Sequence, residues 1–89
     1  MKSKTLEVVN NLGLHARAAA KLVQNANQFE SDIKITYKDQ TVNGKSIMGL
    51  LMLAAPQGSK LKIQVSGSDQ DEALEKLSQM INNGFGEKK

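Results

Sequence analysis

Cysteine is missing from this chain, and histidine occurs once, as His15. Disulfides and thiolate chemistry are therefore excluded, and one histidine cannot assemble a zinc site, so no metal is expected and the fold must stand on packing alone. Tryptophan is absent too, and the aromatic residues are Phe29, Tyr37 and Phe85. These are too few and too scattered to form the stacking platforms that hold single-stranded nucleic acid, even though 12 Lys and Arg against 9 Asp and Glu leave a net charge of +3. That charge suits an acidic or phosphorylated partner without requiring one. Long hydrophobic runs are lacking: the most apolar stretch, Ile47 to Ala55, falls well short of the about 20 residues that span a bilayer. The opening "MKSKTLEVV" has no apolar segment of the about 7 to 15 residues a signal peptide needs. The expectation is a soluble cytoplasmic protein with no membrane insertion, its 89 residues forming one domain, 1–89.

Hydrophobic periodicity alternates between two and 3.6 along the sequence, which predicts a mixed domain. "TLEVVN" puts Leu6 and Val8 on one face of a first strand. From Ala16 the spacing changes, and Ala19, Leu22, Val23 and Ala26 line one helical face while Arg17, Lys21 and Gln24 point away. "DIKITY" alternates Ile33, Ile35 and Tyr37, and Thr41 and Val42 return antiparallel to complete a hairpin. "SIMGLLMLAAPQG" is too uniformly apolar for its period to separate helix from buried strand. Ser46 as N-cap, with Pro56 and Gly58 as terminators, favours a short helix, which Gly49 weakens. Leu61, Ile63 and Val65 mark a fourth strand. A last helix comes after it, capped by Ser68 or Asp69, buried along Leu74, Leu77 and Ile81, and stopped by Gly84 in the left-handed conformation. The terminal "EKK" is expected to fray. The order β-α-β-β-α-β-α predicts an α+β fold, a layer of helices on one face of a sheet. Glu7, Lys34, Thr36, Lys62 and Gln64 occupy the opposite, solvated face.

His15 sits in "NNLGLHARAAAKLVQ", at a strand-to-helix junction. The first N–H groups of a helix lack intrahelical acceptors, and the aligned peptide dipoles add about half a positive charge there. That setting favours a neutral, nucleophilic imidazole and a bound anion. A phosphoryl group fits best, because its oxygens can accept from the N–H groups of Ala16, Arg17 and Ala18 and from the Arg17 guanidinium together. Gly13 gives the backbone a conformation that could turn the ring over the helix end. Paired carboxylates, a P-loop, and a serine or cysteine beside a base are all absent as recognisable constellations, so a carrier explains the pattern better than an enzyme. A bland alternative, a capping or surface histidine, stays open on the residues alone.

A second feature is "VNGKSIMGLLML". Ser46 can be simply an N-cap, yet a phosphate there would also be tolerated by the helix end and would act on partners rather than on the fold. Ile47, Met48, Leu51 and Met52 exceed what a short helix can bury, so part of this set reads as a docking patch, while Leu50 and Leu53 read as core.

"LGLHARAAAKLV" together with "VNGKSIMGLLMLAA" resembles the HPr family of histidine-containing phosphocarriers, including its nitrogen-related NPr branch, over nearly the whole chain. The resemblance implies an open-faced β-sandwich, a four-stranded antiparallel sheet covered on one face by three helices, with no cofactor; the sequence leaves oligomeric state open, although a monomer suits a shuttle. It also implies that enzyme I phosphorylates Nδ1 of His15, that His15 passes the group to an EIIA domain, and that Arg17 balances charge while the backbone of Ala16 and Arg17 cradles the oxygens. Ala20, Ile47, Met48, Leu51 and Met52 would form the docking surface, and Ser46 would be the site of HPr kinase/phosphorylase where that control exists. Members commonly carry proline after the arginine; Ala18 stands there instead, restoring one N–H and giving up rigidity, and transfer is expected to survive. A carrier that signals nitrogen or energy status instead of driving sugar uptake remains an alternative. A nucleic-acid or small-ligand module using Arg17, Lys21 and Lys45 as a basic patch is a second one.

Overall fold

The computed structural model describes residues 1–87. Its elements run β1 (Lys2–Glu7), α1 (Ala16–Ala26), β2 (Asp32–Tyr37), β3 (Gln40–Asn43), α2 (Ile47–Leu53), β4 (Lys60–Ser66) and α3 (Gln70–Asn82), closed by a 3₁₀ turn at Gly84–Gly86. The four strands form one antiparallel sheet in the order β1-β4-β2-β3. Leu6, Ile33, Ile35, Leu61, Ile63 and Val65 point inward and are buried. α3 packs on β1 and β4, α2 packs on β3, and α1 lies against both other helices. The opposite sheet face carries no helix; Glu7, Lys34 and Lys62 are exposed on it, and Thr36 and Gln64 are half-buried. The open-faced arrangement expected from the sequence is the one observed.

Several boundaries differ, each for a physical reason. β1 occupies Lys2–Glu7, earlier than "TLEVVN", because Lys2 to Lys4 pair through their backbone with Ile63 to Val65, and such pairing leaves no apolar trace in the sequence. Val8 is still fully buried, joined to the β4 side by Val8 N–H to Ser59 O at 2.8 Å and Gly58 N–H to Val8 O at 2.7 Å. α2 ends at Ala54, a left-handed residue at φ 50°, before Pro56 and Gly58 are reached. On α3 the buried row is Ala73, Leu77 and Ile81 with Ser78, while Leu74 is only half-buried. Asp69 stands at the N-cap of α3 without capping it. Its carboxylate accepts instead from the backbone N–H groups of Glu30 at 2.9 Å and Ser31 at 3.0 Å, and from the Ser31 hydroxyl.

Two local constraints position the ends of the chain around the first helix. Gly13 has φ +67°, and a Cβ there would stand 2.6 Å from the Ala55 carbonyl oxygen and 2.9 Å from Pro56 Cα. Only glycine fits, since the obstacle is backbone and cannot swing aside. At the other end, Phe85 is 3 % exposed between Gly84 and Gly86, both at positive φ. Lys21 Nζ donates to the Phe85 carbonyl at 2.9 Å, which fastens this turn to α1.

Gly13→Ala should therefore destabilise the fold by at least about 1 to 3 kcal/mol, the cost of a strained left-handed residue, with further loss from the clash; chemical denaturation measures it. Asp69 makes a second case. Hydrogen bonds from the Ser31 hydroxyl and the Glu30 backbone hold its carboxyl below the ordinary carboxylate value. A depressed folded-state value stabilises above the unfolded pKa, about 4, and that contribution fades as pH falls through the lower folded value. Asp69→Ala should lower stability at neutral pH and flatten the acid limb of the stability profile below about pH 4, read by thermal unfolding against pH.

Candidate functional site

The loop between β1 and α1 builds the site. Asn10 is fully buried, and its Nδ2 donates to the Gly13 carbonyl at 2.7 Å, while Gly13 N–H returns to Asn10 O at 3.1 Å. Leu14, also buried, donates its N–H to Ala55 O at 2.9 Å, tying the loop to the end of α2. His15 is then delivered as the N-cap of α1 in extended conformation, φ −87° and ψ −179°, with no side-chain cap bond. Its carbonyl accepts from Ala19 N–H at 2.8 Å. The N–H groups of Ala16, Arg17 and Ala18 consequently have no acceptor among the described residues, and α1 carries no acidic residue in its first turn. Ala18 is buried, so the position that could have held a proline packs a methyl into the core.

His15 keeps about a quarter of its side chain exposed. Nε2 lies 2.8 Å from Glu87 Oε1 and 2.7 Å from Oε2. Asn10 Nδ2 also donates to Glu87 Oε1, at 3.0 Å. These donors, His15 first, hold the Glu87 carboxyl below its ordinary value despite partial burial, so at neutral pH it is an ionised acceptor. An ionised carboxylate cannot donate, which places the ring proton on Nε2 and, in the neutral imidazole, the lone pair on Nδ1. The Arg17 side chain is exposed and its guanidinium has no partner among the described residues. Asn11, Leu12, His15, Ala16, Arg17 and Glu87 line an open depression. A nucleophilic nitrogen, three open N–H groups and an unpaired guanidinium can together receive a phosphoryl group and leave it within reach of a second protein.

Ser46 caps α2 by accepting Gly49 N–H at 3.0 Å, as the sequence predicts for its structural role, and it is half-buried. Beyond it, Ile47 is 42 %, Met48 70 % and Met52 72 % exposed, with Leu51 and Ala20 half-buried, on two helices that lie side by side. Leu50 and Leu53 are core. Of the three basic residues named from the sequence, Arg17 is exposed, Lys21 Nζ donates to Phe85 O at 2.9 Å, and Lys45 Nζ donates to Phe29 O at 2.7 Å.

Three residues escaped the sequence reading. Leu12 stands 69 % exposed beside His15, and nothing in "NNLG" distinguishes it from a turn residue. Asn10 reads equally as a turn former. Glu87 belongs to the "EKK" expected to fray, yet it is held; Lys88 and Lys89 lie outside the described residues. The overlooked signal was a lone aromatic between two glycines directly after a helix, an anchor for the residues beyond it.

The family model PTS-HPr, "PTS HPr component phosphorylation site", matches residues 2–83. The phosphocarrier protein HPr of Neisseria meningitidis is 48 % identical over 87 residues, 98 % of each chain. The crystal structure of HPr-C-His from Thermoanaerobacter tengcongensis covers 100 % of both chains with a TM-score of 0.95 and 43 % identity. An HPr dimer from the same organism gives 0.78 and 44 %, over 98 % of this chain and 100 % of that one. A likeness that runs through sequence, sheet order and helix placement from one end to the other leaves a single conclusion: the chain belongs to the HPr family, the phosphocarriers of the phosphotransferase system.

Proposed function

We propose that this chain accepts a phosphoryl group on Nδ1 of His15 from phosphorylated enzyme I and hands it to an EIIA domain, acting as a carrier rather than as an enzyme in its own right. The observation that supports this most is the arrangement at the start of α1, where Nε2 is occupied by Glu87 and Nδ1 is left free beside three N–H groups without acceptors among the described residues. In the forward step the Nδ1 lone pair forms the N–P bond as the bond from phosphorus to the donor breaks, its electron pair leaving with the donor. The ring then carries a positive charge and retains its Nε2 proton. The transferred oxygens accept from the backbone of Ala16 and Arg17, and the guanidinium of Arg17 offsets their charge. Return transfer to an acceptor reverses these changes, which is why no binding site here should be deep.

Ala20, Ile47, Met48, Leu51 and Met52 serve as the docking surface on this reading. The exposure of Ile47, Met48 and Met52, on a helix packed against the one that His15 caps, suits partners that must bind in turn and leave, through interfaces at or below the standard size of about 1,600 Å². A carrier of this kind works as a monomer, since a shuttle must present the same face freely to donor and acceptor. Ser46 acts as the regulatory position: a phosphate on it sets about two negative charges beside the patch and repels an acidic partner.

Incubation with enzyme I and phosphoenolpyruvate should place one acid-labile, base-stable phosphate on the protein, and His15→Ala should abolish it. Label that survives this substitution overturns the assignment. Ser46→Asp should slow transfer from enzyme I several-fold without unfolding the protein, because aspartate also caps a helix N-terminus; steady-state phosphorylation measures the first and circular dichroism the second. Unchanged transfer would remove Ser46 from the regulatory role.

A further inference from the structure

Without cysteine or tryptophan, the chain carries its most oxidisable atoms in the thioethers of its 4 methionines. They stand in three different settings. Met80, on α3, is half-buried and packs against the core. Met1 is exposed, but its sulfur lies 3.8 Å from Gln64 Nε2, and it borders a shallow depression with Asp32, Lys34 and Ser66 on the uncovered sheet face, across the sheet from the helices. Met48 and Met52 are exposed on α2, 70 % and 72 %, and their four-residue spacing makes them neighbours on one face of that helix. The fold does not depend on these two side chains. Leu50 and Leu53 hold α2 to the core, and Ser46 caps it. With Ile47, the two methionines are the large apolar groups that α2 leaves exposed, so a change of polarity there rewrites a surface and spares the packing beneath it.

We infer that Met48 and Met52 form an oxidative modification site, at which hydrogen peroxide turns the apolar patch polar and slows phosphoryl exchange with partners. This rests on the reading of that patch as the docking surface. In the step, a lone pair of the thioether sulfur attacks one peroxide oxygen. The S–O bond forms as the O–O bond breaks, and the other oxygen leaves as water with both of the peroxide's protons; sulfur is oxidised by two electrons and the peroxide reduced by two. The flexible apolar side chain becomes a polar, chiral sulfoxide. Its oxygen is a hydrogen-bond acceptor, and burying it against an apolar partner surface that offers no donor is unfavourable. A docked partner covers both sulfurs, so the free carrier is the form that reacts. Enzymatic reduction of the sulfoxides returns the patch to its first state.

The test treats the full chain with dilute hydrogen peroxide and removes the oxidant before enzyme I is added. Peptide mass spectrometry should place one added oxygen on each of Met48 and Met52 before Met80 is altered, and circular dichroism should show the fold intact. The initial rate of labelling by enzyme I and phosphoenolpyruvate should fall on the order of tenfold, the scale of losing one well-buried interface contact. It should recover after reduction by the two epimer-specific methionine sulfoxide reductases. A variant combining Met48→Leu with Met52→Leu keeps apolar side chains of similar volume and has no sulfur there; measured against its own untreated rate, it should be indifferent to peroxide. An unchanged rate in protein that carries both sulfoxides overturns the inference. A loss that persists in the double-leucine variant does so too, because the damage then lies elsewhere, as does oxidation of Met80 ahead of the pair on α2. Untreated protein that takes no label removes the carrier reading and the inference with it, whereas labelled protein that ignores oxidation removes the inference alone.

Discussion

The backbone of Gly13 passing over Ala55 and Pro56 is the constraint on which the rest of this structure turns. No side chain fits in that gap, and the crossing is clasped by the Leu14 N–H bond to Ala55 O. Through it the first helix inherits its starting point, and with that its uncapped amides and the ring that stands beside them. The same crossing lies where α2 has just ended, so the helix bearing the exposed methionines is registered against the histidine by main chain rather than by flexible side chains. A site assembled this way keeps its geometry without needing an enclosing pocket.

How far this was readable in advance depends on the kind of interaction. Elements whose burial follows a period were legible: α1 through Ala19, Leu22, Val23 and Ala26, and β2 and β4 through their alternating isoleucines, valine and leucine, all buried as the spacing demands. So was His15 at a helix start, because glycine, histidine and arginine are costly to explain there as packing. Features set by hydrogen bonds between distant segments were not. Asp69 looks like a cap and is a cap by position, but its oxygens go to the strand entrance at Ser31, 38 residues earlier in sequence. Glu87 meets a histidine 72 residues away, and no local pattern encodes such a meeting.

The ambiguous segment after Ser46 shows a third situation. Its composition alone could not decide between helix and strand, since apolar residues fill almost every position. The cap settled it, with Ser46 Oγ taking Gly49 N–H, and a left-handed alanine closed the helix after seven residues. Crowding a short helix with apolar side chains leaves more of them than one face can hide. Exposure of Ile47, Met48 and Met52 is thus a geometric result of the element's brevity, whatever use is made of it.

An open sheet with one uncovered face also has two unprotected borders, and here they are guarded by different means. The outer strand β3 is only four residues long, too short to template a long partner strand. The outer strand β1 is longer but begins Lys-Ser-Lys, and all three of those side chains are exposed. Lysine on an exposed edge strand discourages a second copy from pairing with it; here the residues are Lys4 and Lys2, the latter also meeting Asp71 at 2.6 Å. A molecule that leaves half its sheet wet can in this way remain dispersed when crowded.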